Sequence, residues 1–280
     1  MAGRNIRRAG LDFLEGQTLL PAGTRLGAAE LALAAAMNHP MLPVARKPLV
    51  AIIATGDELV RPGEPAGPNQ IIASNSFAIA AFVEAAGGTT LDLGIVADDF
   101  APLEAAIRAA RDAKADILVT LGGASVGDHD LVKPALAKEG MELGFWRIAM
   151  RPGKPLIHGR LGAMTILGLP GNPVSSIVCG ALFLMPLIRA LSGDKTAHLD
   201  RSEPAILGVA LRANDKRQDY MRASLTLRDD GTPVAVPHIV QDSSMLRVLA
   251  QAQCLVIREP NTPAAEAGAA CRILRFEQGW

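Results

Sequence analysis

The sequence predicts a three-layer α/β domain with a mostly parallel sheet, followed by a small β-rich, barrel-like lobe. Three observations lead there. Strand-like runs, Leu49–Ala54 (LVAIIA), Thr89–Val96, Ala115–Thr120 and Met164–Leu169 (MTILGL), alternate with segments of helical pattern, the order expected of a mostly parallel sheet covered by helices. Glycine-bearing loops follow three of these runs directly. Beyond Lys195 the pattern changes to short alternating stretches separated by breakers, as in a compact β lobe.

Composition narrows the class. A chain of 280 residues suffices for a medium domain plus a smaller one. Twenty-eight Lys and Arg balance twenty-eight Asp and Glu, which argues against a general electrostatic surface for nucleic acid or anionic membrane. A local anion pocket stays open. Hydrophobic residues make up 49% but aromatics only 4%, so aliphatic side chains must form the core. Cys179, Cys254 and Cys271 make neither a CxxC zinc site nor a disulfide framework and read as buried thiols in a reducing compartment. No signal-peptide pattern is evident, and the longest apolar stretch, Ile177–Ile188, is short for a bilayer and contains Pro186. The expectation is a soluble, cytoplasmic protein without nucleic-acid or membrane partners.

In chain order, residues 1–47 read as an appendage. Gly16–Gly23 suggests a short strand and turn, and Gly27–Met37 a helix that stops at Asn38-His39-Pro40. Such a piece is too small to bury a core alone and should pack on a neighbour. Residues 48–193 form the α/β domain: the strand at Leu49–Ala54, a helix over Ser74–Ala86 ended by Gly87-Gly88, the strand Thr89–Val96, a helix over Pro102–Asp112, the strand at Ala115–Thr120, the strand Met164–Leu169 and an apolar helix over Val174–Leu191. Residues 194–280 form the β-rich lobe, with strands within Ala205–Arg212, Tyr220–Leu227, Cys254–Arg258 and Ala270–Phe276.

Parallel sheets of this kind collect ligands beyond their strand C-termini, and four loops carry suitable chemistry. Thr55-Gly56-Asp57-Glu58 offers close backbone approach and paired acids for a cation, or equally a solvated helix start. Gly122–Gly127 (GGASVG) is neither a P-loop nor a GxGxxG fingerprint, but its N–H groups suit an anion, which accounts for the glycine density and the strand-exit placement together; a tight structural turn is the alternative. Arg151-Pro152-Gly153-Lys154-Pro155 supplies two cations, for phosphate or for water. In Leu169–Ser176 (LPGNPVSS), Asn172 or Ser175 suits a helix cap or a ligand contact. Paired acids, a glycine nest and fixed cations at one sheet end suit an anionic, phosphorylated ligand with a divalent ion. No Cys–His or Ser–His–Asp nucleophile arrangement is present.

TGDEL at Thr55–Leu59, GGASVGDHD at Gly122–Asp130, RPGKP at Arg151–Pro155 and LPGNPVSS at Leu169–Ser176, in this order and spacing, resemble the molybdopterin molybdenumtransferase family. The likeness extends through Asn5–Gly10 and the β-rich tail. It implies a cytoplasmic, dimeric transferase of molybdenum-cofactor biosynthesis that binds molybdopterin or adenylated molybdopterin and inserts molybdate with Mg2+. On the matching positions, it implies catalytic roles for Asp57, Glu58, Asp130 and Lys154, and metal contacts from Glu58, Asp98, Asp99 and Asp130. It further implies a cofactor pocket shaped by Thr55, Gly56, Gly122, Gly123, Ser125, Gly127, Asp128, Arg151, Pro170, Gly171, Asn172 and Ser175. The family has a longer region before TGDEL, so residues 1–47 resemble its final part, with a homodimer or another partner supplying the rest. That difference keeps two alternatives in view, a noncatalytic molybdopterin or molybdenum-cofactor carrier and a scaffold or regulatory protein of the same fold.

Overall fold

The computed structural model describes residues 6–123 and 131–276. The first helix, α1 (Ala28–Ala36), starts where the Gly27 N–H donates to the Glu30 carboxylate and stops at Met37 and Asn38, the latter at φ +65°. The strand expected at Gly16–Gly23 is absent. That stretch forms turns and irregular backbone, which pairs with no strand among the described residues.

The α/β part contains β1 (Leu49–Thr55), β2 (Leu59–Val60), β3 (Ile71–Ile72), α2 (Asn75–Ala85), β4 (Thr89–Val96), α3 (Phe100–Asp112) and β5 (Ile117–Leu121). It continues with α4 (Val132–Lys138), β6 (Glu142–Trp146), β7 (Met150–Arg151), β8 (Ile157–Leu161), β9 (Met164–Leu169), α5 (Pro173–Cys179) and α6 (Met185–Leu191). The main sheet has the order β4-β1-β5-β9-β8-β6. Its first four strands are parallel; β8 and β6 add an antiparallel edge.

Burial explains this arrangement. Val50 to Ala54 and Ile117 to Val119 are buried on both sheet faces, as near-continuous aliphatic runs require. On one face Val50, Ile52, Val119 and Leu167 pack under Ile79, Phe82, Val178 and Ile188 from α2, α5 and α6. On the other, Ile53, Leu118 and Ile166 pack under Leu103, Ile107 and Leu136 from α3 and α4. The apolar stretch noted in the sequence belongs to a longer helical run, Pro173–Leu191, in which a π-helical turn at Gly180–Leu184 joins α5 to α6. Its length and composition would allow a membrane span, yet Val174, Val178, Leu184 and Ile188 are fully buried in the sheet core.

The remaining elements are β10 (Glu203–Leu207), β11 (Gln218–Leu227), β12 (Pro233–Pro237), α7 (Leu246–Gln251), β13 (Cys254–Arg258) and β14 (Ala270–Arg275). Five of these strands close into a barrel, β12-β10-β14-β13-β11 and back to β12, around Leu207, Ala223, Ala235, Val256 and Ile273. Closure removes the free edges of so small a sheet. Two features tie barrel to α/β part: β7 adds to β11 in parallel, and Leu249 and Leu255 join the core beneath α5.

Candidate functional site

The parallel strands β1, β5 and β9 end together, and their exits form the corner where the motif loops meet. Gly122 lies at φ +98° just beyond β5, and its N–H donates to the Leu169 carbonyl at 3.2 Å. A Cβ on Gly122 would sit 2.7 Å from the Thr55 carbonyl oxygen and 2.9 Å from Thr55 Oγ1. A Cβ on Gly123 would collide with Val132 Cγ2 at 2.1 Å. Glycine is therefore required by space as well as by backbone angle. Gly171 closes the other side, its Cβ position 3.7 Å from Gly122 Cα. Thr55 is 5% exposed, and its buried Oγ1, aimed at this glycine corner, has no hydrogen-bond partner among the described residues.

Acids occupy the neighbouring exits. Asp57 and Glu58 are exposed, and the Glu58 carboxylate folds back over Gly56, 2.6 Å from where a Cβ would be. The Asp98 N–H donates to Asp57 Oδ1 at 3.2 Å. Partial burial, and then the charges of Asp57 and Glu58, hold the Asp98 carboxyl above the usual carboxylate range. The structure separates the two sequence candidates here: Asp98 joins the acidic corner, whereas Asp99 is the N-cap of α3 and its carbonyl accepts from the Leu103 N–H. Ser125, Gly127, Asp128 and Asp130 lie outside the described residues.

The Leu169–Ser176 loop is built into the corner from both sides. Asn75 Nδ2 donates to the Gly171 carbonyl at 2.8 Å, and Asn172 Nδ2 donates to Ser243 Oγ at 3.1 Å. Asn172 is the N-cap of α5, followed by Pro173 in the first turn. Pro170 and Ser175 are buried. The Ser243 carbonyl accepts from the Val174 N–H, so a loop following β12 braces the start of α5. Arg222 fixes that loop from the face of β11 turned away from the barrel core, donating to Gln241 Oε1 and to the Asp242 carbonyl.

The two cations of the RPGKP loop part company. Arg151 makes a bidentate pair with Asp219 of β11 and also reaches Asp215 and Asn214. The Asp219 hydrogen bond, more than any other partner, raises its already high pKa. Lys154 is exposed, and among the described residues it forms no ion pair. Sequence reasoning did not find Asn75, Asp219, Arg222 or Ser243, because their roles depend on neighbours far along the chain.

A divalent ion fits this corner only in a particular mode. Among the described residues no three His, Cys, Asp or Glu side chains gather closely enough to hold an ion alone. Mg2+ ordinarily uses one or two carboxylates and completes its shell with water and substrate phosphate, which the exposed Asp57 and Glu58 pair suits. A cleft of about 370 Å3 lies elsewhere, between the apolar helix and the barrel, rimmed by Glu203, Tyr220, Arg272 and Arg275.

Comparison with known proteins agrees with this architecture. Residues 51–190 match the family described as "Probable molybdopterin binding domain", and residues 204–276 match "MoeA C-terminal region (domain IV)". The chain is 33% identical over 273 residues to the molybdopterin molybdenumtransferase of Haemophilus influenzae, covering 98% of this chain and 67% of that protein. It is 40% identical over 234 residues to the Nostoc sp. enzyme of the same name, covering 81% of this chain and 52% of the relative. Against that of Bacillus subtilis it is 35% identical over 276 residues, with 99% and 64% covered. The solved molybdopterin biosynthesis moeA protein of Pyrococcus horikosii superposes with a TM-score of 0.77 at 29% identity, over 92% of this chain and 62% of that one. The chain thus spans between about half and two thirds of the length of these relatives.

Proposed function

Because the chain belongs to the molybdopterin molybdenumtransferase family, we propose that it binds adenylated molybdopterin at the strand-end corner and inserts molybdate into it. The observation that carries this reading is the glycine corner itself. Thr55 Oγ1 is buried, without a partner among the described residues, beside Gly122 and Gly123, whose lack of side chains lets the β5 exit pack tightly against Thr55 and Val132. Acids after β1 flank the corner on one side, and the RPGKP loop, which leads into β8 beside the end of β9, lies on the other.

In this reading, backbone donors near Gly122 and Gly123 hold an anionic oxygen of the pterin ligand. Lys154 supplies a mobile positive charge for phosphate or molybdate oxygen. Arg151, through its pair with Asp219, sets the loop against β11 and so aims Lys154. Asn75 and Asn172 keep the Leu169–Ser176 loop in register beneath the ligand. Asp57 and Glu58, with Asp98 beside them, would hold Mg2+, and Asp130 is the further acid proposed for that role. When bound, Mg2+ supplies charge neutralisation at the phosphoanhydride. A second copy of the chain, or another protein, covers the N-terminal segment, where Met41 and Val44 are 83% and 69% exposed.

The test is incubation of the purified chain with adenylated molybdopterin, Mg2+ and molybdate. The expected result is molybdate-dependent release of AMP. A folded chain that binds the ligand but releases no AMP would instead behave as a carrier. Glu58→Gln and Lys154→Ala should each lower turnover by at least about 10-fold, the scale of one lost charge-assisted contact, with an unchanged circular dichroism spectrum. Full activity in both variants would contradict the assignment.

A further inference from the structure

One edge of the same corner carries cations outside the four motif loops. Trp146 ends β6 and pairs with Ile157 of β8, which in turn pairs with Gly168 near the end of β9. These antiparallel strands therefore bring Trp146 to the sheet edge at which β1, β5 and β9 finish. Two cations converge on its indole: Lys133 Nζ lies 3.9 Å from the ring centroid and Arg147 Cζ 4.0 Å. Both distances are those of cation–π contacts.

Three features distinguish this group from an ordinary surface stack. Among the described residues neither Lys133 nor Arg147 forms an ion pair with a carboxylate, whereas Arg151 is closed onto Asp219. Arg147 is held at φ +80°, a backbone conformation that costs free energy for any residue except glycine. Its surroundings also belong to the corner. The Arg147 N–H donates to the Leu156 carbonyl and the Ile148 N–H to the Lys154 carbonyl, at 3.1 and 3.0 Å, locking this turn to the RPGKP loop. Lys133 follows Val132, the residue that fills the space where a Gly123 side chain would be.

We propose that Lys133 and Arg147, gathered on Trp146, form a second cationic arm of the strand-end site and bind a tetrahedral oxyanion of its ligands, phosphoryl or molybdate. The inference rests on the site reading above. Trp146 is a positioning residue: its ring holds two like charges close together, where they attract an anion more strongly than either alone.

Calorimetric titration of the full chain with AMP, adenosine and sodium molybdate, at low and moderate salt, tests this. Arg147→Gly removes the guanidinium and suits φ +80°, so the fold should be retained. It should weaken AMP or molybdate binding about 10-fold, as expected for one charge-assisted contact, and flatten the salt dependence. Adenosine affinity should not change. Lys133→Gln should act in the same direction, and it covers the case of a refolded turn in the first variant. Loss confined to AMP assigns the arm to phosphoryl, and loss confined to molybdate assigns it to the metal oxyanion. Unchanged affinity in both variants, or an equal loss for adenosine, overturns the arm and leaves the site reading intact. If the unmodified chain binds neither AMP nor molybdate, both fall.

Discussion

Gly122 and Gly123 are where residue identity and chemistry coincide most closely. At Gly122 a methyl group would meet both the carbonyl and the hydroxyl oxygen of Thr55, at a backbone angle that L side chains rarely adopt. Gly122→Ala should therefore destabilise the chain by about 2 kcal/mol or more and abolish pterin binding. Urea titration checks the first effect and ligand calorimetry the second; an unperturbed midpoint would mean that the β5 exit can move. The sequence already drew attention to these glycines by their density at a strand end. Thr55 entered as a pocket residue only through the family resemblance; the folded corner alone shows that its hydroxyl is buried beside them without a partner among the described residues. Arg151 illustrates the opposite limit. A cation in a Pro-Gly loop reads as an anion contact, but its bidentate partner Asp219 is 68 positions away in another strand.

The elements were unevenly legible. The strands expected at Thr89–Val96 and Met164–Leu169 have the extents their sequence suggests. The antiparallel strands β6 (ELGFW), at the sheet edge, and β8 (IHGRL), between it and β9, do not announce themselves: Gly, Glu, His and Arg interrupt the apolar pattern, in β6 because an edge is partly solvated. With them went the residues at their ends, including Trp146. The apolar helix closes in a way that has a measurable consequence. Beyond Leu191, Asp194 accepts from the Thr196 hydroxyl and N–H and from Arg189 Nε. These contacts, the Thr196 hydroxyl foremost, hold its carboxyl down at about 2. A depressed carboxylate stabilises the fold fully above its unfolded pKa, and the contribution disappears as pH falls through the folded value. Asp194→Asn should therefore cost roughly 1 kcal/mol at neutral pH, allowing for solvent screening. The difference from the unmodified chain should shrink between about pH 4 and pH 2. Thermal denaturation across that window checks it; a gap that widens in acid would contradict the assignment.

At the scale of the whole molecule, barrel and α/β part share one core through Leu249 and Leu255, and β7 stitches them at β11. The N-terminal segment is different. Ile6, Leu11, Met41 and Val44 are 79%, 68%, 83% and 69% exposed, an apolar surface that water does not favour. If a second copy covers it, analytical ultracentrifugation at micromolar concentration should give a dimer, and Met41→Lys with Val44→Lys should shift it toward monomer. Monomer for the unmodified chain would leave only a different protein as partner. What the sequence determined by itself was the layered α/β class, the β-rich lobe and the four loops at strand ends, because strand burial and turn chemistry are written in local runs of residues. The tertiary structure decided which charges remain available for a ligand. It closed Arg151 on Asp219, turned Asp98 toward Asp57 while Asp99 capped α3, and gathered Lys133 and Arg147 on Trp146. Those choices depend on partners brought together across long stretches of chain, and Coulomb and cation–π forces act on that proximity rather than on sequence order.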